Sequence, residues 1–221
     1  VQGWLPVAQF RVGCDFRYVV QTGSGGRIPF AEGSVSGHDA VIGADGIRSR
    51  VRAQLFRTSE PVYRGYAVWR GISAYAGSAI RPGYNSETWG RGSRFGILSL
   101  GHGEFTWYAT ANIDRLDTTL PDARKSKLLE RFAGWHEPVA ALIEATEVIL
   151  ENGAYDLLPL PRWTTGRVTL LGDAAHPCTP NLGQGGSMAL EDALVLAKCI
   201  SRESSVEAAL RRYEQLRRRR T

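Results

Sequence analysis

Asp173 stands between an apolar run and a glycine-rich segment, and that placement is where chemistry is most readable in this chain. Residues 166–200 are GRVTLLGDAAHPCTPNLGQGGSMALEDALVLAKCI. Val168 to Leu171 is bounded by Gly166 and Gly172 and is too short for an ordinary helix, so it predicts a buried strand. Pro177, Pro180 and glycines 183, 185 and 186 follow. From Ser187 onward the spacing predicts a helix with Met188, Leu190, Leu194, Ala197 and Ile200 as its apolar stripe. Glu191 and Asp192 are expected in its first turn and Lys198 in its last, the polarity that the helix dipole favours.

Strand, carboxylate, glycine-rich loop and helix together suit one kind of ligand. A carboxylate at the carboxyl end of a parallel strand sits where open α/β sheets bind ligands, and it accepts hydrogen bonds from polyol hydroxyls. Glycines let backbone approach a flat or bulky group. Free amides at the start of a helix favour an anion or a group that becomes one. A polyol beside a ring that gains negative charge on reduction describes a flavin. A structural Gly-Pro turn with an exposed Asp is the plainer alternative, and the length of the string weighs against it.

GRVTLLGDAAHP, followed by TPNLGQGG and ALEDA, resembles the second flavin motif of the class A flavoprotein monooxygenases, the relatives of para-hydroxybenzoate hydroxylase. The resemblance implies that Asp173 binds the ribityl chain of FAD. It also implies that Gly183, Gln184, Gly185, Gly186 and Ser187 lie against the isoalloxazine ring, with Gly172 and Pro180 completing the cofactor-binding set.

The elements that must position these residues lie on both sides of a different middle. Phe10–Val20 and Arg27–Phe30 predict strands joined by the turn at 22–26. Residues 39–43, DAVIG, predict a further short buried strand that ends in ADGIRSRVR. GADGIRSRVR is similar to the Asp-Gly motif of the same family, which implies a role for Asp45 in flavin and nicotinamide-cofactor contacts, directly or through neighbours. The structural alternative is an Asp that caps the next helix. Arg48, Arg50 and Arg52 are either pyrophosphate ligands or surface charges.

Between about Val62 and Ile113 the segments VYRGYAVWRGI, RFGILSL and FTWYATANI place aromatic and β-branched residues in near alternation between Gly-rich turns. That predicts an antiparallel sheet. The strings WRGI, ETWGRGSRFGI and FTWYATAN resemble the zeaxanthin-epoxidase and urate-hydroxylase branch, in which such a sheet binds substrate and covers the flavin. Trp69, Trp89, Trp107, Phe95 and Tyr108 either line an apolar pocket for a flat substrate or pack the core. Arg94 opens an apolar strand, where a charge needs a partner or a ligand. The resemblance implies that Arg94 touches substrate, with a rim salt bridge as the alternative. Thr106 stands where the urate-hydroxylase branch has a tyrosine, which argues against urate itself. Asp122–Thr146 predicts two helices, with Leu128, Leu129, Phe132 and Trp135 on one and Val139, Leu142 and Ile143 on the other. His136 at their joint reads as structural or solvent-facing. Tyr155–Leu160 predicts one more strand.

The fold class expected is therefore α/β: an incomplete Rossmann-like FAD-binding domain plus an antiparallel β-sheet substrate domain with helices. The FAD-binding domain is assigned 1–60 and 161–221, and the substrate-binding sheet and helices 61–160. No G-x-G-x-x-G follows a strand and opens a helix. On the family pattern a unit that seats the ADP half of FAD, on the order of a hundred residues, precedes Val1. The chain is then an excerpt or a truncated product.

With 221 residues, 43% hydrophobic and 22% charged, the chain belongs to the soluble globular class. No apolar run is long enough to span a bilayer and no signal peptide opens the chain, which argues against stable membrane insertion. Cys14, Cys178 and Cys199 lack metal-site spacing and predict reduced, mostly buried thiols in a cytoplasmic protein. The net charge of +5 owes much to Arg211, Arg212 and Arg217 to Arg220. These follow a helical stripe and read as a solvated face. No aromatic residues interleave with them, which argues against nucleic acid.

The function implied is a monooxygenase. NAD(P)H reduces FAD, O2 reacts with the reduced flavin, and one oxygen atom passes to an aromatic or otherwise electron-rich small molecule. No residue is assigned as a catalytic acid or base, and no metal site is expected. A reductase-like or halogenase-like flavoprotein, and an inactive folded module, are the alternatives.

Overall fold

The computed structural model describes residues 12–14, 16–22, 25–29, 33, 35–57, 60–75, 77, 79–81, 83, 85–115 and 121–221. The expected strand Phe10–Val20 lies partly outside them, and within them the strand begins only at Val20. The chain divides into two compact units, one built from 1–62 and 155–221 and the other from 63–154.

In the first unit, β1 (Val20–Thr22), β2 (Gly25–Pro29) and β3 (Val35–His38) form an antiparallel sheet. β3 has no signature in the sequence, because VSGH carries neither alternation nor bulk. β4 (Val41–Gly43) leads through the Asp45-Gly46 turn into α1 (Arg50–Phe56). Gly43 is required here, since a Cβ on it would lie 2.8 Å from Val51 Cβ.

The second unit is a five-stranded sheet under two helices. β5 (Val62–Ala74), β6 (Ser86–Gly90), β7 (Ser93–Gly101) and β8 (Glu104–Asn112) are followed by α2 (Pro121–Arg131), α3 (Val139–Ala145) and β9 (Leu150–Asp156). The strand order is β6-β7-β8-β5-β9. Alternation assigns the faces. Trp69, Phe95, Ile97, Phe105 and Trp107 are buried and form one core with Leu128, Phe132, Leu142 and Ile143. Phe95 stacks on Trp107 at 5.3 Å and meets Phe132 edge-on at 5.5 Å. Trp107 Nε1 donates to Thr146 Oγ1 at 2.8 Å, so the buried indole keeps a partner. His136 is solvent-facing, with Nε2 2.7 Å from Thr88 Oγ1.

The expected strand at Tyr155–Leu160 is displaced: β9 ends at Asp156. Pro159 and Pro161 offer no ladder donors, and Leu157 and Leu160 are buried without strand pairing.

The chain then closes the first unit with β10 (Val168–Leu170), α4 (Gly185–Arg202) and α5 (Val206–Arg217). β10 lies parallel to β4, with Val168 opposite Val41 and Leu170 opposite Gly43. Val41, Val51, Trp163, Val168, Leu170, Leu196, Leu210 and Tyr213 form its core.

Two expectations about α4 and α5 are corrected. Helix α4 begins at Gly185, so Glu191 and Asp192 stand in its second turn. The predicted stripe faces outward, with Leu190 75% and Leu194 57% exposed, while Asp192, Leu196 and Cys199 are buried. The inward face runs through a carboxylate, which periodicity counts as surface. Arg217 is likewise buried rather than part of a solvated face. Of the three thiols only Cys199 is buried; Cys178 is exposed.

Candidate functional site

The two Asp-bearing turns leave neighbouring parallel strands at the same end. Leu170 is opposite Gly43, and the pairing continues as Leu171 N donates to Gly43 O at 2.9 Å. Asp45 follows Gly43 by two residues, and Asp173 follows Leu170 by three.

After β10 the chain makes one turn of 3-10 helix over Gly172–Ala174. Gly172 has φ +59°, and a Cβ there would meet Ala189 Cβ at 3.1 Å, so glycine meets both a left-handed backbone and the close approach of α4. Asp173 is exposed, and its carboxylate has no hydrogen-bond partner among the described residues. A second 3-10 turn, Pro180–Leu182, ends on Gly183 in the left-handed region. Gln184 is then the N-cap of α4 and supplies no side-chain cap. The first bond closing onto that cap runs from Met188 N to Gln184 O at 2.9 Å, so the amides of Gly185, Gly186 and Ser187 precede it. A Cβ on Gly185 would lie 3.8 Å from Asp173 Oδ1, while Gly183 and Gly186 face open space. Exposed carboxylate, uncapped helix start and bare backbone thus lie together, where a polyol and a ring that gains negative charge would fit.

Asp45 is placed differently. Its Oδ1 accepts from Ser49 Oγ, and its Oδ2 accepts from Arg50 N at 2.8 Å and Val51 N at 3.2 Å. The carboxylate is therefore occupied in shaping the start of α1. Arg50 Nη1 donates to Phe16 O at 2.9 Å. Arg52 is 3% exposed and donates Nη1 to Ala174 O at 3.0 Å and Nη2 to Ile47 O. Burial pulls its guanidinium below the ordinary value, against the opposing charges of Asp45 and Glu60. Arg52 therefore ties the turn after β4 to the turn after β10.

A buried ionic network that sequence reasoning missed holds the second turn from behind. Asp192 is wholly buried and accepts from Gly172 N at 3.0 Å, His176 Nε2 at 2.6 Å and Arg217 Nε at 2.6 Å. Arg217 Nη1 also donates to Glu191 Oε2 at 2.7 Å. Burial pushes the Asp192 carboxyl up, but the bonds from His176, Arg217 and Gly172 outweigh it and hold the group below the usual carboxylate range. Tyr213 Oη donates to Leu170 O at 3.1 Å, and burial pushes its phenol up. His176 and Asp192 were both inside the quoted motif strings, but nothing in a string shows that they face each other.

In the second unit, Arg94 is partly buried on the sheet face opposite the helices, with Nη1 3.4 Å from Glu87 Oε1 and Nε 3.4 Å from Thr110 Oγ1. The five candidate aromatic residues divide between the faces. Trp69, Phe95 and Trp107 are core, while Trp89 is 73% exposed and Tyr108 lies on the Arg94 face. No His, Cys, Asp and Glu grouping suited to a metal ion is present among the described residues.

The chain thus combines an α/β unit that has two acidic turns at one sheet end with a second unit built on a five-stranded antiparallel sheet. Residues 38–221 match the family described as FAD binding domain, and the chain belongs to the class A FAD-dependent monooxygenase family. The aurachin C monooxygenase/isomerase of Stigmatella aurantiaca is 47% identical over 192 residues, covering 86% of this chain and 50% of that protein. The chloroplastic zeaxanthin epoxidase of Solanum lycopersicum is 40% identical, over 81% of this chain and 29% of its own. Among solved structures, Klebsiella pneumoniae HpxO in complex with FAD and uric acid superposes with a TM-score of 0.88 at 32% identity, over 94% of this chain and 54% of that one. The chain thus spans half or less of the curated relatives it matches.

Proposed function

We propose that this chain is the flavin-holding and substrate-holding part of a monooxygenase that uses NAD(P)H and O2 to place one oxygen atom on an aromatic or otherwise electron-rich small molecule. The observation that carries the reading is the Asp173 carboxylate, without a hydrogen-bond partner among the described residues, beside the uncapped, glycine-lined start of α4. FAD, when bound, supplies hydride acceptance and the activation of O2.

The chain's own residues bind and orient. Asp173 accepts hydrogen bonds from ribityl hydroxyls. The amides of Gly185, Gly186 and Ser187 stabilise negative charge developing on the ring, since aligned helix-start donors cost no reorganisation when charge appears. Gly172, Pro180, Gly183 and Gln184 shape the loop that brings those amides to the ligand. Asp45 contributes by fixing the turn before α1, with the nicotinamide cofactor its second candidate neighbour. On the open sheet face of the second unit, Arg94 and the groups around it form the substrate side. The relatives are named for aurachin C and zeaxanthin, and a neighbour holds uric acid, so a small conjugated substrate fits the group. No helix among the described residues is long and apolar enough to cross a membrane. A cytoplasmic site of action belongs to the same reading.

The test is Asp173→Ala in the full-length protein. A hydrogen bond to a charged group contributes about 1.5–3 kcal/mol, so FAD should bind roughly ten- to a hundredfold more weakly. Flavin retention is read by absorbance after gel filtration, and unchanged retention would remove Asp173 from the site.

A further inference from the structure

The face of the five-stranded sheet away from its helices carries a cluster of polar groups in which one carboxylate and one guanidinium, Glu87 and Arg94, cancel. Strand register sets its members. Glu87 lies opposite Gly96, Trp89 opposite Arg94, Gly96 opposite Tyr108 and Arg94 opposite Thr110. These positions alternate with the buried Phe95, Ile97, Trp107 and Ala109, so Glu87, Trp89, Arg94, Tyr108 and Thr110 share the face away from α2 and α3.

Glu87 is the hub. Its Oε1 accepts from Tyr108 Oη at 2.9 Å and lies 3.4 Å from Arg94 Nη1, while its Oε2 accepts from Trp89 Nε1 at 2.6 Å. The Tyr108 ring lies across Gly96, where an added Cβ would come within 2.2 Å of it, so the absence of a side chain at 96 fixes where the phenol stands. Burial, then the hydrogen bond and charge of Glu87, push that phenol up to about 12, and it stays protonated as a donor at neutral pH. One carboxylate, one guanidinium and one neutral phenol sum to zero. Around them Ile72 is 59% and Leu98 40% exposed, and Arg70, opposite Tyr108, gives its guanidinium to Asn152 Oδ1 at 3.3 Å instead of to this cluster.

This arrangement disfavours an anion. A carboxylate arriving at Arg94 must compete with one already 3.4 Å from the guanidinium, and it meets that group's negative charge. An uncharged ring with one N–H or O–H meets the opposite situation, because a carboxylate has about four acceptor positions and Glu87 has room for another donor. We propose that Glu87 is the recognition residue for an uncharged, flat aromatic substrate bearing an N–H or O–H donor, with Arg94, Tyr108 and Trp89 holding its carboxylate in place. The proposal rests on the monooxygenase reading and narrows it, moving the substrate contact from Arg94 to its partner.

Two probes of one shape separate the cases: 2-naphthol, a neutral donor, and 2-naphthoate, an anion. Each is titrated by calorimetry into the full-length flavin-loaded protein at pH 7. The naphthol should bind about tenfold or more tightly than the naphthoate. Glu87→Gln, similar in shape, should reverse that order, weakening the naphthol and admitting the naphthoate beside Arg94 once the competing carboxylate is gone. Tyr108→Phe should keep the order, since the carboxylate remains. Tighter naphthoate binding by the native protein overturns the proposal. So does a Glu87→Gln variant that weakens both probes alike, a Tyr108→Phe variant that loses the preference as fully as Glu87→Gln, or flavin-loaded protein that binds neither. A full-length protein that retains no flavin sinks the monooxygenase reading itself.

Discussion

Asp192 shows how one buried side chain can hold a ligand-binding turn without facing the ligand. It gathers a backbone amide, an imidazole and a guanidinium from three places in the chain, at Gly172, His176 and Arg217. Charge-assisted bonds of this kind are short and strong, and removing one partner leaves the other charge buried and unpaired. Asp192→Asn should therefore cost about 3–5 kcal/mol of stability in urea denaturation. The pH dependence has a definite sign. The folded carboxyl lies below its unfolded value of about 3.9, so its contribution is complete above about pH 4 and is lost as pH falls through the lowered folded value. In the Asn variant the decline in stability below pH 4 should be shallower than in the native protein, and equal slopes would show that this carboxylate does not govern it.

Arg52 joins two elements that lie far apart in sequence, α1 and the turn that follows β10. Its guanidinium spends its donors on carbonyls of Ile47 and Ala174. Those carbonyls lose partners if Arg52 becomes Met, at about 1–3 kcal/mol for each unsatisfied buried group. Arg52→Met should lower stability by about 2 kcal/mol or more. It should also speed hydrogen exchange at the amides of Ala175 and His176, which close the turn onto Gly172 O. Exchange unchanged at those two amides would show that the tie does not hold the turn. The same elements show where sequence and structure part. The strand-Asp-glycine-helix order around Asp173 was legible because each part has a local signature: an apolar run, a turn, a helical spacing. The inward face of α4 was not legible, because Asp192 looks like a surface residue until Arg217 is brought against it.

Over the whole molecule, two cores with no residue in common organise the two units. Leu142 belongs to one and Leu210 to the other, and each is fully buried. Either residue changed to Ala should cost about 2–5 kcal/mol through lost burial and the cavity left behind. The two losses should add in the double variant within about 0.5 kcal/mol, as expected for sites without shared partners. A coupling of 1 kcal/mol or more in denaturant unfolding would show that the cores act as one. The alternation that predicted the antiparallel sheet also separated its faces, since period-2 patterning directs alternate side chains to opposite sides whatever the surroundings.

What this sequence determined alone was carried by neighbours along the chain: the acidic turn after β10, the glycine-lined start of α4, the two helices α2 and α3 (although Phe132 and Trp135, expected on the first, lie beyond its end at Arg131), and the sheet from Val62 to Asn112. Those features arise from backbone sterics and short-range periodicity, which do not depend on distant residues. Only the tertiary structure decided which charges are spent on the protein itself. Asp45 caps α1, Arg52 and Arg217 are buried, and Arg94 stands against Glu87. A charge is assigned by what lies within a few ångströms of it, and strand register and helix docking set that distance across separations that no local pattern spans.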